Sequence, residues 1–258
     1  MRNKDTCIVS ARDATKNTGV RKFVTVVLLG ENHGYRMKSY GATPLLKIRD
    51  NKTLLELQID AIKSVFTDYE VILCCGFDTK RINDFVRDKL KNENIRIVEN
   101  QVHYNSNCCE SIRLALNNTM NNRVFISSGE IFLTPSYLHK FDYNKVSVAI
   151  QQQNINGDFE ISTILNNKTL NTMCLGEKNN FWTEAIFLNN EESIRRLQNI
   201  VSNVDFKNKF MFEAINMLSK NTKIKVVENN SQPIVKINNI KTLRNIRKFN
   251  ESTNSKLF

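Results

Sequence analysis

VTVVLLGENHGYRMKSYGATPLLKI, residues 24–48, opens with six residues that are apolar except for Thr25. An apolar run this short and continuous reads as a strand buried on both faces. Gly30 ends it. Gly34 and Gly41 punctuate a loop carrying Asn32, His33, Arg36, Lys38 and Thr43, and a second apolar segment over residues 45–48 closes the stretch. A buried strand that empties into a Gly-containing basic loop is suited to holding phosphates. The backbone can approach the anion closely, its N–H groups point at it, and an arginine adds charge.

Outward from this stretch, residues 49–52 (RDNK) read as a tight turn. Thr53 follows as a helix N-cap with Glu56 three residues on, the spacing of a capping box. Leu54, Leu55, Leu57, Ile59, Ile62 and Val65 then keep a helical period to about Phe66. Residues 70–76 (EVILCCG) and 95–100 (IRIVEN) read as buried strands. Between them, residues 78–90 read as a helix turning Ile82, Phe85 and Leu90 inward. Strands and helices alternating in this way predict βαβ units and a mainly parallel sheet. In residues 98–118, VENQVHYNSNCCESIRLALNN, Ser106 or Asn107 stands at a helix start, able to cap free N–H groups or to face a ligand. In residues 123–135, RVFISSGEIFLTP, a strand runs into Ser128-Gly129-Glu130. That puts a carboxylate at the carboxyl end of a strand, where open α/β sheets place their ligands. Beyond Pro135 the pattern predicts a short helix over 136–141 and strands over 146–152, 159–166 and 182–187. Helices follow over 192–201 and 209–218, then a closing strand and helix within 223–248. Trp182 reads as a core or hairpin residue with the acceptor side of a pocket as its alternative, and Glu184 as a solvated residue or a pocket wall.

In this order the motifs resemble those of the nucleotidyltransferases with a GT-A-like, Rossmann-related fold, which activate sugar phosphates or phospho-alcohols with an NTP. The family signature runs L-A-A-G-x-G-T-R-M, then P-K-x-L after a spacer. Leu29, Gly34, Arg36, Met37, Leu45, Leu46, Lys47 and Ile48 match it, and LLELQID over 54–60 resembles the helix that follows. Tyr104, Ser106, Asn107, Ser111, Leu114 and Ala115 resemble the next motif. Gly129-Glu130 stand for its Gly-Asp, and Ile237-Asn238-Asn239 with Leu243 for its closing I-D-T-P-E-D-L. Glu31 and Asn32 replace an alanine and a glycine, Ala42-Thr43 replace Pro-Lys, and Glu130 and Asn238 replace two aspartates.

The resemblance covers residues 23–249. It implies a three-layer αβα fold with a mostly parallel central sheet: one domain over 23–250 between a basic extension (1–22) and a tail (251–258). The implied reaction moves NMP from an NTP to a sugar-phosphate or phospho-alcohol acceptor and releases pyrophosphate. The NTP would lie on Leu29, Gly30, Asn32, Gly34 and Arg36, with Ser106, Asn107 and Gly129 beside it. Arg36 would meet the leaving phosphates, Lys38 or Lys47 would stand in for the missing lysine, and Glu130 with Asn238 would hold Mg²⁺ or Mn²⁺. The altered positions support a second reading, a degenerate relative that binds a nucleotide or a protein partner without turnover.

Composition narrows the classes further. A chain of 258 residues with 41% hydrophobic and 24% charged content is ordinary for a globular protein. It has no apolar run near the length needed to span a bilayer. Its N-terminus lacks the apolar segment of a secretory signal, so a cytoplasmic location is the default. The six cysteines form no C-x-x-C pair, and with only three histidines they give little support to a zinc site. The net charge of +11 is spread along the chain without aromatic interleaving, which argues against nucleic-acid binding. The Asn- and Lys-rich composition suits an AT-rich microbial or viral coding sequence; a viral chain would work in the host cytoplasm or the virion.

Overall fold

The structure, a computed structural model, describes residues 23–31, 37–119, 121–152, 154, 159–229 and 233–254. The expected basic extension (1–22), His33 and residues 255–258 lie outside them, as do Asn32, Gly34 and Arg36 of the phosphate loop. The expected strand over residues 24–29 is β1 (Val24–Leu29), buried along its whole length. It is followed by a short hairpin, β2 (Lys47–Arg49) and β3 (Lys52–Thr53). The turn between them has Asp50 and Asn51 at φ 49° and 59°, the left-handed pair that a two-residue hairpin needs. Helix α1 (Leu54–Val65) starts with the expected capping box. The Glu56 N–H donates to Thr53 Oγ1, and the Thr53 N–H donates to Glu56 Oε2 at 2.7 Å. Next come β4 (Tyr69–Cys75), α2 (Thr79–Lys89), β5 (Ile95–Glu99), α3 (Cys108–Asn117), β6 (Val124–Ser128) and the one-turn α4 (Pro135–Leu138). The second half runs β7 (Ser147–Gln151), β8 (Ile161–Asn166), β9 (Thr169–Leu175), β10 (Phe181–Leu188), α5 (Glu191–Ser202), α6 (Met211–Ser219), β11 (Lys225–Glu228) and α7 (Ile240–Asn254).

Nine strands form one sheet in the order β5-β4-β1-β6-β10-β7-β11-β9-β8. The first four are parallel neighbours, and only β10 and β9 run against the rest. Side chains alternate along β1. Val27 and Leu29 face α3, α5 and α6, while Val26 and Leu28 face α1, α2 and α4. Both faces are therefore covered, giving three layers and explaining why β1 reads as continuously apolar. Strand β5 differs from its expected full burial: at the sheet edge it is only half-buried. Strand β9 was not expected; it forms a hairpin with β8 through Asn167 and Lys168, at φ 48° and 62°. Among the described residues, no helix is long and apolar enough to cross a membrane.

Candidate active site

Strands β1 and β6 end side by side, and their carboxyl ends meet at Gly129. The Gly129 N–H donates to the Leu29 carbonyl at 2.8 Å. A Cβ on Gly129 would lie 2.7 Å from that oxygen and 2.9 Å from the Gly30 Cα, so only glycine permits the approach. From below, buried Gln58 of α1 donates its amide to the carbonyls of Gly129 (3.1 Å) and Ile131 (2.8 Å). Gln58 belongs to the LLELQID motif, and this bracing gives the motif a physical purpose. From the far side, residues 235–237 pair with the same loop: the Ile237 N–H donates to the Glu130 carbonyl and the Phe132 N–H to the Val235 carbonyl.

A cavity of about 500 Å³ opens over this junction. Leu29, Glu31, Ser128, Glu130, Lys236 and Asn238 line its floor side. Asn107, Cys108 and the α6 start (Phe210–Glu213) form one wall, and Glu160, Ile161, Leu175, Trp182 and Glu184 form the other. Asn107 caps α3 by accepting from the Cys108 N–H at 2.8 Å while facing the cavity. Ser106 is not a lining residue; its hydroxyl donates to the Val102 carbonyl and accepts from Asn100. Lys38 and Lys47 are exposed and do not line the cavity, and the Lys47 carbonyl accepts from Arg247. Thr43, at the family's lysine position, is buried at 1% exposure, its hydroxyl unpartnered among the described residues.

Burial dominates the cavity's electrostatics. It pushes Glu31 from 4.5 up to about 7, opposed by hydrogen bonds from its own backbone and from Ser111, and Glu31 Oε2 has no partner among the described residues. Burial likewise raises Glu130 to about 7, although Lys236 works the other way. The Lys236 ammonium stands 2.6 Å from Glu184 Oε1 and 3.7 Å from Glu130 Oε2. Glu184 reaches this position because β10 bulges between Trp182 and Ile186, and Glu184 itself sits at φ 54°. Trp182 lines the cavity and is anchored by its indole N–H on the Ala185 carbonyl. Cys108 is a packing thiol: its hydrogen bond with Cys109, then burial, holds it well above the ordinary thiol range.

At this junction the described residues do not suit a divalent cation. Asn238 brings no charge, and among the described residues no three His, Cys, Asp or Glu side chains converge as a metal set. A metal on Glu130 would also face the Lys236 ammonium.

At the level of sequence, no family model matches the chain, and no curated protein does. Solved structures do. CTP:phosphocholine cytidylyltransferase from Streptococcus pneumoniae superposes with a TM-score of 0.71 at 12% identity, over 88% of this chain and 98% of that one. The fold is that of the nucleotide-diphospho-sugar transferases. Within this nucleotide-diphospho-sugar transferase fold, a putative glucose-1-phosphate thymidylyltransferase from Bacillus anthracis matches with a TM-score of 0.70 at 11% identity, over 88% and 95%. An apo UDP-glucose pyrophosphorylase matches with a TM-score of 0.71 at 9% identity, over 90% and 99%.

Of the candidate site residues named from sequence, Leu29, Asn107, Glu130 and Asn238 line the cavity. Sequence reasoning missed Lys236 and the α6 start, because neither carries a local motif; both arrive through pairing or packing between distant segments.

Proposed function

We propose that the chain is a nucleotidyltransferase. It moves NMP from an NTP onto a phosphorylated small-molecule acceptor, a sugar phosphate or a phospho-alcohol, and releases pyrophosphate. The observation that carries this reading is the cavity at the carboxyl ends of β1 and β6, about 500 Å³, a size suited to a small-molecule site. The similar structures support it, since their names describe transfer of this kind to phosphocholine and glucose 1-phosphate. In this reading the base and ribose lie over Leu29, Gly30 and Gly129 beside Asn107, and Asn32, Gly34 and Arg36 hold the phosphates. The acceptor occupies the wall formed by Trp182, Glu184 and Leu175. An acceptor phosphate oxygen attacks the α-phosphorus in line, the α–β anhydride bond breaks, and pyrophosphate carries away the electron pair. Catalysis then rests on alignment and on cations near the phosphates, with Arg36 as the candidate on the loop side.

A pyrophosphate-release assay across NTPs and a mixture of sugar phosphates and phospho-alcohols tests this reading. Arg36→Ala is expected to weaken NTP binding by about 1–3 kcal/mol, the worth of a charge-assisted hydrogen bond. Lys22→Ala is expected to leave it unchanged. Equal affinity in wild type and Arg36→Ala takes the loop out of the site. A second reading, a binding module without turnover, is favoured by buried Thr43 and uncharged Asn238. It predicts NTP binding with no pyrophosphate released for any acceptor.

A further inference from the structure

We infer that Lys236 is a tethered cation: it brings to Glu130 the positive charge that a divalent metal would otherwise supply, so the chain binds nucleoside triphosphates without a metal ion. The inference rests on the nucleotidyltransferase reading and deepens it. Three independent features of the fold converge on the lysine. The pairing of Ile131 with Lys236 sets it beside the Glu130 loop. The bulge in β10 turns Glu184 back to meet its ammonium at 2.6 Å. Two residues on, at the expected position of a second metal ligand, Asn238 carries no charge. Lys236 sets a positive charge beside Glu130, and Asn238 brings none of the negative charge that a second carboxylate ligand would supply.

The ammonium is well placed to meet an anion. Lys236 lines the cavity with its side chain only 16% exposed, so its charge acts where water screens little. An ammonium has three donors; among the described residues Glu184 and Glu130 face two of them, with Glu160 also in its field, and the inference gives the third to a phosphate oxygen in the cavity.

The experiment is isothermal titration of the full chain with CTP, UTP, GTP, ATP and dTTP, in EDTA and again in excess Mg²⁺. The best nucleotide is expected to bind with the same Kd, within about threefold, in both buffers. Lys236→Met is expected to weaken binding in EDTA by about tenfold or more and to regain part of it in Mg²⁺, while Lys236→Arg stays close to wild type in EDTA. Lys236→Met strands two part-buried carboxylates, so the paired variant Lys236→Met with Glu184→Gln carries the same test if the single variant unfolds. Electron paramagnetic resonance with Mn²⁺ alone adds a direct readout. Wild type is expected to leave the ion free, and Lys236→Met with Asn238→Asp is expected to bind it. A wild-type Kd that worsens about tenfold or more in EDTA overturns the inference and leaves the nucleotide reading standing. Nucleotide binding in neither buffer overturns both.

Discussion

Burial strips the carboxylates of Glu31 and Glu130 of water and raises both to about 7, and the Glu31 charge adds to the rise at Glu130. A carboxyl raised from 4.5 to about 7 favours the protonated, folded form. Its stabilising contribution is full below pH 4.5 and is lost as the pH rises through 7, an effect of roughly 3 kcal/mol for an isolated site. Glu31→Gln cannot ionise, so it is expected to flatten the loss of stability between pH 5 and pH 8 seen in wild type. Glu130, Ser111, Cys74 and Cys108 also face Glu31, and Glu130 will keep a residual slope of its own. Urea unfolding at the two pH values measures it; parallel slopes in wild type and variant would mean that Glu31 is already ionised and solvated. At this scale sequence carried part of the site. Glu130 was legible because a short local pattern, an apolar strand followed by Ser-Gly-Glu, fixes where a carboxylate lands. Lys236 was not, since it meets Glu130 only through a bridge between distant segments.

The loop carrying Glu130 depends on an element that never touches the cavity. Helix α1 presents Gln58 to it, and that amide is the described donor to both the Gly129 and the Ile131 carbonyl. Gln58→Leu keeps the volume but leaves two buried carbonyls without this donor, at a cost of about 2–4 kcal/mol. The expected result is a lower urea midpoint together with weaker nucleotide binding, because Gly129 and Glu130 shift with the loop. An unchanged midpoint would show that water replaces the amide. Elements built from local rules were legible: the Thr53–Glu56 capping box, the apolar β1, and the alternation that lays β4, β1 and β6 side by side. Strand β9 was not, because TLNTMCL buries only Leu170 and Met173 and so lacks a clear alternation. The bulge in β10 was equally hidden, since nothing in FWTEAIFL marks Glu184 for positive φ.

Across the whole molecule, charge is divided in an uneven way. The chain carries a net +11, yet among the described residues Glu31, Glu130, Glu160, Glu184 and Glu213 line the cavity with Lys236 as the one cation beside them. Much of the acidic surface is spent in exposed pairs such as Arg195 with Glu191 and Arg196 with Glu192, which add little stability. The surplus positive charge therefore acts at long range, while the acidic walls act within the cavity. For a polyanion such as an NTP, the two fields affect different steps. The outer field draws the ligand in and speeds encounter, and it weakens as salt shortens the Debye length from about 30 Å at 0.01 M to about 8 Å at 0.15 M. Contacts inside the cavity are shorter than either length and are screened far less. The association rate of the best-binding NTP is therefore expected to fall by roughly tenfold between these salt concentrations, with the dissociation rate changing much less. Stopped-flow binding at the two ionic strengths measures both. An association rate indifferent to salt would mean that the acidic cavity cancels the outer field at its mouth. A dissociation rate that rises in step with salt would move the charge contacts out of the cavity and onto the exposed surface.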